Sequence, residues 1–519
     1  MRPLQIRPER VLGVAAAAVG AISIASAVTP SLSDRSALVN GVLPPEIPDG
    51  ARYLALALGI ALIWLSFSLA RRRRNAWHAA VLVVLVIAAA HLVKGLDAEE
   101  AGASLLLLAA LVAYRQRFDV PGDPAALRPL AGTAIALAGV VAFLTLYDLD
   151  RLAAPDWLDD IVLSAGVFLL LRATYLWLRP LTERVQQTVT ERRTARNLVE
   201  HYGTDSLAFF SLRRDKNYFI SESHRAFLAY RVVAGTALVS GDPIGDASEF
   251  EALLTDFLRE TRAKGWRPAV LSASEEMLDL YRSLGLRAIE IGREAVVRPD
   301  VFSLEGRPIR KVRQSVNRLI REGYSVRALR TAELTPAERA GLDDVSCEWL
   351  GAWPERGFTM AMDELFDEPD PVFLIAESSE GRIDGFIQLV PCPAGDGYSL
   401  SAMRRRRSTP NGLMEFLVAE AIAWVGGENV AELSLNFCVF GEVLGASGGK
   451  SRPTRALRFA LLKLDRLFQL ERLLSFNRKF FPEWRPRFLC FERLTDFPAV
   501  GLAYLHAESL LTPPGPWTR

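Results

Sequence analysis

Ser399-Leu400-Ser401-Ala402-Met403-Arg404-Arg405-Arg406-Arg407-Ser408-Thr409-Pro410-Asn411-Gly412-Leu413-Met414-Glu415-Phe416 reads as a strand, four consecutive arginines, a Pro-Asn-Gly turn and the start of an amphipathic helix. A strand that passes through a turn into a helix marks an α/β domain. Each guanidinium is a planar cation with five donors, so four in a row call for an anionic partner and suit phosphate oxygens best. No acidic run adjoins them, which leaves the arginines without local partners.

Around this stretch the chain changes character. Of 519 residues, 11–178 are mostly Ala, Leu, Val and Ile, whereas 179–519 hold most of the charge and nearly all the turn residues. The length allows roughly three domains. A net charge of +1 means that anion binding comes from local clusters and not from a global field. Cys347, Cys392, Cys438 and Cys490 are widely spaced and read as reduced core residues, neither a disulfide frame nor a zinc site.

Six apolar runs, near 11–29, 51–70, 76–93, 101–114, 131–147 and 161–178, approach the roughly 20 residues needed to cross a bilayer. Arginines at 2, 7, 10, 71–74, 115, 117, 179 and 184 alternate with acidic loops at 97–100 and 148–160. The positive-inside rule then puts both termini in the cytoplasm of an inner-membrane protein. The first run is not a cleaved leader, since five more follow it. His78, His91 and Arg172 are costly polar residues in these runs, and His78 and Arg172 lie near span ends where side chains snorkel.

The expected divisions are a six-span domain (1–178), a basic juxtamembrane linker helix (179–204), a first acyltransferase-like domain (205–300), a basic connector helix (301–325), a second, catalytic one (326–500) and a tail (501–519). Two strand–helix halves in similar order suggest tandem acetyltransferase-like (GNAT-like) folds, although no sequence self-similarity is evident. The fold class is thus a multi-pass α-helical membrane region followed by a tandem α/β region. In the connector, Val312, Val316, Leu319 and Ile320 form the expected buried stripe. Arg310, Arg313, Asn317 and Arg321 share a second face, a basic row that fits a nucleic-acid or phospholipid backbone.

Several chemistries are disfavoured. Five histidines include no His-Glu-x-x-His, and Gly449-Lys450-Ser451 lacks the earlier glycine of a phosphate loop. Gly445-Ala446-Ser447-Gly448-Gly449 has the spacing of a nucleophile elbow, yet Phe440 to Leu444 separate it from the preceding strand.

Five short motifs in order carry a specific resemblance. They are Asp215-Lys216-Asn217-Tyr218-Phe219 with Gly241-Asp242-Pro243-Ile244-Gly245; Phe302-Ser303-Leu304-Glu305-Gly306; Met403-Arg404-Arg405 with Pro410-Asn411-Gly412 and Glu415-Phe416; Phe476-Asn477-Arg478-Lys479-Phe480; and Trp484, Pro486 and Arg487. Residues 200–495 resemble the aminoacyl-phosphatidylglycerol synthases, the multiple peptide resistance factor family. The resemblance implies transfer of an aminoacyl group from aminoacyl-tRNA to a hydroxyl of phosphatidylglycerol at the membrane bilayer, with no cofactor or metal. On that basis Arg404 and Arg405 hold a phosphate or developing negative charge, and Lys479 and Arg487 add a second cationic contact. Asn411 and Asn436 hydrogen-bond the ester or the donor amine, and Glu415 serves proton transfer or amine recognition. The family usually has an acidic residue where this chain has Ser401, which opens the question of a different donor or acceptor. Its membrane region is commonly longer, so lipid flipping is not implied. A serine esterase built on Ser447, a lipid-binding or flipping protein without catalysis, another lipid acceptor and self-association all remain open.

Overall fold

Six apolar stretches fold as six helices close to the places their composition predicts. The computed structural model describes residues 8–29, 46–95, 98–146, 156–355, 357–439 and 470–511. The chain divides into two compact units, residues 1–182 with 262–266 and residues 183–261 with 267–519.

In the first unit the helices are α1 (Pro8–Val28), α2 (Glu46–Leu69), α3 (Arg74–Gly95), α4 (Ala98–Ala113), α5 (Leu127–Leu146) and α6 (Asp156–Trp177). Three stretches among the described residues are long and apolar enough to cross a membrane: Pro8–Val28, Ala51–Leu69 and Arg74–Val93. The 16-residue α4 and the apolar parts of α5 and α6 are shorter. α1 and α2 approach so closely that a Cβ on Gly20 would lie 2.7 Å from the Gly59 carbonyl oxygen, the small-residue packing that lets helix backbones touch in lipid. His91 is buried and meets Ser23 Oγ at 3.2 Å, and Arg172 Nε donates to Thr133 Oγ1 at 3.2 Å. These polar residues therefore bond between helices.

The second unit opens with α7 (Val189–Tyr202), whose N-terminus Thr188 and Glu191 close in a capping box. Its Arg192 and Arg196 pair with Glu368, and Arg196 also with Asp370, so two of the basic residues of the linker are already balanced. Two halves of like topology follow. In the first, β1 (Asn217–Ile220), β2 (Ala226–Val233) and β3 (Thr236–Ser240) form a meander. Its β2–β3 turn, Ala234-Gly235, has φ of +49° and +73°, the left-handed pair a two-residue hairpin requires. A short β4 (Ile244–Gly245) pairs with β2, and helix α8 (Phe250–Ala263) then crosses to β5 (Arg267–Ala273), parallel to β3. Helix α9 (Leu278–Ser283) and β6 (Arg287–Val297) follow.

The second half begins after the connector α10 (Arg310–Arg321). It comprises β7 (Ser325–Arg330), α11 (Pro336–Leu350), β8 (Val372–Glu377), β9 (Ile383–Cys392) and β10 (Gly397–Arg405). Helix α12 (Leu413–Gly427) crosses to β11 (Glu432–Val439), parallel to β10; α13 (Leu470–Asn477), β12 (Glu483–Phe491) and α14 (Phe497–Ala507) complete it. The expected order, apolar helices followed by two α/β halves, is the one observed.

The halves share one sheet of order β1-β2-β3-β5-β12-β6-β11-β10-β9-β8-β7, and its centre is exchanged. β12 of the second half pairs with β5 of the first, β6 of the first pairs with β11 of the second, and β6 and β12 pair with each other. Neither half closes its own sheet.

α10 and α12 cover one face of this sheet. Val312, Val316 and Leu319 pack there with Leu413, Phe416 and Leu417 against Leu374, Ile387 and Leu389. Ile320 departs from the expected stripe and is exposed, because the buried arc ends one residue earlier. Of the described cysteines, Cys392 and Cys490 are buried and free, whereas Cys347 is exposed on α11.

Candidate functional site

β10, an interior strand, carries the basic run at its C-terminal end, just before the turn into α12. Arg404, the penultimate residue of β10, is buried; it donates to Glu355 Oε2 at 2.6 Å and to Ser346 Oγ. Arg405 donates to Thr409 Oγ1 at 2.8 Å. Arg406 donates to Glu348 at 3.1 Å and to the Ile383 carbonyl at 2.9 Å, while the Arg407 amide meets Glu348 at 2.7 Å. The arginines lack partners in sequence, but α11 and the loop after it supply them in space. The Arg407 amide, then Arg406, hold the Glu348 carboxyl below its usual range.

The turn into α12 depends on Gly412. Its φ is +88°, and a Cβ there would lie 2.5 Å from Ser315 Oγ on α10. Only glycine meets both demands. Arg318 of α10 donates to the Asn411 carbonyl and locks the turn. One turn into α12, Glu415 Oε1 accepts from Lys479 Nζ at 2.8 Å, and that ammonium lies 5.1 Å from the Phe476 ring centroid. Two motifs 64 residues apart thus meet as an acid–base pair.

β10 and β11 pair in parallel only from Gly397 to Ser399 and from Glu432 to Ser434. A bulge between Leu400 and Ala402 and an irregularity after Ser434 then part the strands. Ser401 and Asn436 stand at this opening, where segment 358–362 is inserted. Ser401 Oγ accepts from the Met362 amide at 3.1 Å. Asn436, with φ +70°, donates to the Met360 and Leu400 carbonyls at 2.5 and 2.9 Å.

Arg487 lies elsewhere, at the exchanged centre. Its guanidinium donates to Glu294 at 2.5 and 2.9 Å, to Asp205 at 2.6 and 3.2 Å and to Ser206 at 3.0 Å. Burial works against the Glu294 charge, but Arg487 and the Ser206 and Ser434 hydroxyls hold its carboxyl below the usual range. While this network is closed, Arg487 has no donor to spare for a phosphate. It lines a cavity of about 960 Å³ together with Asp205, Asp242, Glu432, Glu483 and Arg485. Burial and then Asp205 push the Asp242 carboxyl up; Tyr281 OH and the Ser274 amide donate to it.

On α10, Arg310 and Arg321 are exposed, and Arg321 Nε bonds its own helix at the Asn317 carbonyl. Arg313 donates to the Leu304 and Gly306 carbonyls at 2.6 and 3.1 Å and so fastens the loop before the helix.

Glu355 and Ser346, the partners of Arg404, were not foreseen, because neither belongs to a periodic or motif-bearing stretch. In the sequence Lys216 stands only as one member of the Asp215–Phe219 motif. It is fully buried, and its Nζ donates to the Phe210 carbonyl at 2.6 Å and to Ser240 Oγ at 2.7 Å. Burial, then neighbouring Arg213, bring its pKa down to about 7. A lysine directly after an aspartate in a strand-entry motif was the available signal. The Gly-Ser stretch at 445–451, with Ser447, lies outside the described residues.

The family described as phosphatidylglycerol lysyltransferase, C-terminal, matches residues 196–491. The lysylphosphatidylglycerol biosynthesis bifunctional protein LysX of Mycobacterium ulcerans is 36% identical over 356 residues, 67% of this chain and 32% of that protein. LysX of Mycolicibacterium gilvum is 32% identical over 553 residues, 96% of this chain and 50% of its own length. The chain therefore spans a third to a half of these relatives. Among solved structures, L-PGS from Bacillus licheniformis aligns at TM-score 0.56 and 23% identity over 64% of this chain and 100% of its own. The C-terminal domain of a putative lysylphosphatidylglycerol synthetase from Agrobacterium fabrum aligns at 0.53 and 23%, over 61% and 96%.

Proposed function

The chain belongs to the phosphatidylglycerol lysyltransferase C-terminal family, and on that premise we propose that it transfers an aminoacyl group from aminoacyl-tRNA to phosphatidylglycerol. The observation that carries the reading is the ion pair that joins two distant motifs, Glu415 at the start of α12 and Lys479 of the turn after α13.

In this account the lipid hydroxyl oxygen attacks the carbonyl carbon of the aminoacyl ester. A new carbon–oxygen bond forms, and the bond to the tRNA ribose oxygen breaks. Glu415 accepts the proton of the attacking hydroxyl, and the proton is returned to the departing ribose oxygen. Lys479, 2.8 Å from Glu415 Oε1, orients that carboxylate for the transfer. Arg404 stabilises the oxyanion that develops in between, with Glu355 and Ser346 fixing its fork in a buried setting where a preorganised cation acts strongly. Arg405 takes a substrate phosphate, and Asn411 orients the ester. Asn436 and Ser401 act on the donor amine once segment 358–362 yields. Arg310, Arg313 and Arg321 form a basic row for the polyanionic donor. Arg487, on the wall of the separate cavity with Asp205, meets a substrate only when its network with Glu294 and Asp205 opens. The six helices form a multi-pass inner-membrane anchor with both termini cytoplasmic, which brings the enzyme to its acceptor.

The test uses the full chain in phosphatidylglycerol vesicles with tRNA charged with a radiolabelled amino acid. Label passes into the lipid phase with charged tRNA and stays in water with free amino acid and ATP. Equal labelling from the free amino acid overturns tRNA dependence. A Ser401→Asp variant, which restores the family's usual acidic residue, shifts donor preference; unchanged rates across charged tRNAs remove Ser401 from amine recognition.

A further inference from the structure

A groove of about 300 Å³ lies between the loop leading to α10 and the turn after α13, the turn that also carries Lys479. Val297, Ile309 and Phe480 form its floor and are buried in the core, with Phe302 beside them; Val301 and Phe481 form its lips, 75% and 59% exposed. Its volume sits at the lower end of the roughly 300–1,000 Å³ typical of ligand pockets. The lips are costly as a free surface. Phe481 is a bulky residue held at φ +53°, in a region that glycine occupies freely and phenylalanine does not, and it displays its ring to solvent.

The groove's surroundings are basic. Arg307 and Arg310 flank the Pro308-Ile309 wall, and Arg478 begins the turn that ends at Phe481, whose amide bonds the Arg478 carbonyl at 3.3 Å. All three arginines are exposed, and none has an ion pair among the described residues. Arg298 inside the groove reaches Asp300 at 3.4 Å, and Glu305 is the one acidic residue among the lining residues. An apolar slot whose wall residues Pro308, Ile309 and Phe480 are flanked in the chain by exposed arginines complements a molecule whose hydrocarbon adjoins a phosphate.

Resting on the transfer reading above, we propose that this groove binds the acceptor lipid. The first part of an acyl chain lies along Val301 and Phe481, and the phosphate meets Arg307 and Arg478. The lipid hydroxyl is then delivered toward Glu415, because Lys479, its partner, belongs to the same short turn as Arg478 and Phe480. The arginines select an anionic headgroup, and the lips select a lipid over a free glycerophosphate.

The test is photolabelling of the full chain in detergent with a phosphatidylglycerol whose acyl chain carries a diazirine, followed by peptide mapping. Label is expected on the peptides containing Val301 and Phe481. Excess unlabelled phosphatidylglycerol suppresses it, and phosphatidylcholine does so far less. Phe481→Asp and Val301→Asp, both at exposed positions, lower labelling and raise the KM for lipid about tenfold, the equivalent of losing contact with one large apolar side chain. Phe481→Gly loses the label in the same way while melting no lower than the parent, since it relieves the backbone. Label confined to other regions, or equal suppression by phosphatidylcholine, overturns the groove. Labelling needs no turnover: a chain that labels here but transfers nothing overturns the transfer reading alone, and one that transfers without this label overturns the groove alone.

Discussion

Arg404 owes its proposed role to geometry as well as charge, since a planar fork held by Glu355 and Ser346 is not reproduced by a flexible ammonium. Arg404→Ala should lower transfer by about 10²–10³, the loss typical of one oxyanion donor, and Arg404→Lys should recover little of it. Rates within a few-fold of wild type for either, measured on folded protein, remove the residue from the site. Lys216 allows a second test at this scale. Its pKa falls from 10.5 to about 7 on folding, so between those values the unfolded chain binds the extra proton. Its contribution is complete above 10.5, and stability is lost as pH falls toward 7. Between pH 7 and 10 the thermal midpoint should rise more steeply with pH for wild type than for Lys216→Met; parallel curves contradict a neutral buried lysine. The arginine run, the Pro-Asn-Gly turn and the Glu415 and Lys479 motifs were legible in the sequence because each is local. Their partners Glu355 and Ser346 were not, because tertiary packing alone brings that loop and helix to β10.

At the scale of elements, turn residues fix the local joints: Ala234-Gly235 closes one hairpin, and Gly412 opens α12. Pairing across the middle of the sheet could not be read the same way. β6 and β12 have strand-like composition, but nothing within either names a partner almost 200 residues away. What fixes them is the buried Arg487–Glu294–Asp205 network. Glu294→Ala should destabilise the second unit by about 3–5 kcal/mol, the usual result of leaving a buried cation short of a partner. Replacing Glu294 and Arg487 together with apolar residues should cost less than the sum of the single changes. Denaturant midpoints decide this, and strict additivity contradicts the network.

For the whole molecule, the strand exchange means that the two α/β halves are one folding unit despite their like topology. Residues 183–307 and 308–519 made separately should stay unfolded, since each lacks the strand that covers its inner edge, and mixing them should restore the fold. A well-folded isolated half contradicts that account. The sequence showed two halves and a basic connector but placed a domain boundary between them, because element order reports composition and not which strand completes which sheet. The apolar N-terminal helices and the family's lipid chemistry together place the chain at a membrane. The central claim is therefore tested most directly in cells, by mass spectrometry of total lipids with wild-type chain or with Arg404→Ala at equal expression. The account predicts phosphatidylglycerol species heavier by one amino-acid residue with wild type and none with the variant, the mass shift naming the amino acid. Identical lipid profiles from the two chains, with phosphatidylglycerol abundant, would contradict it.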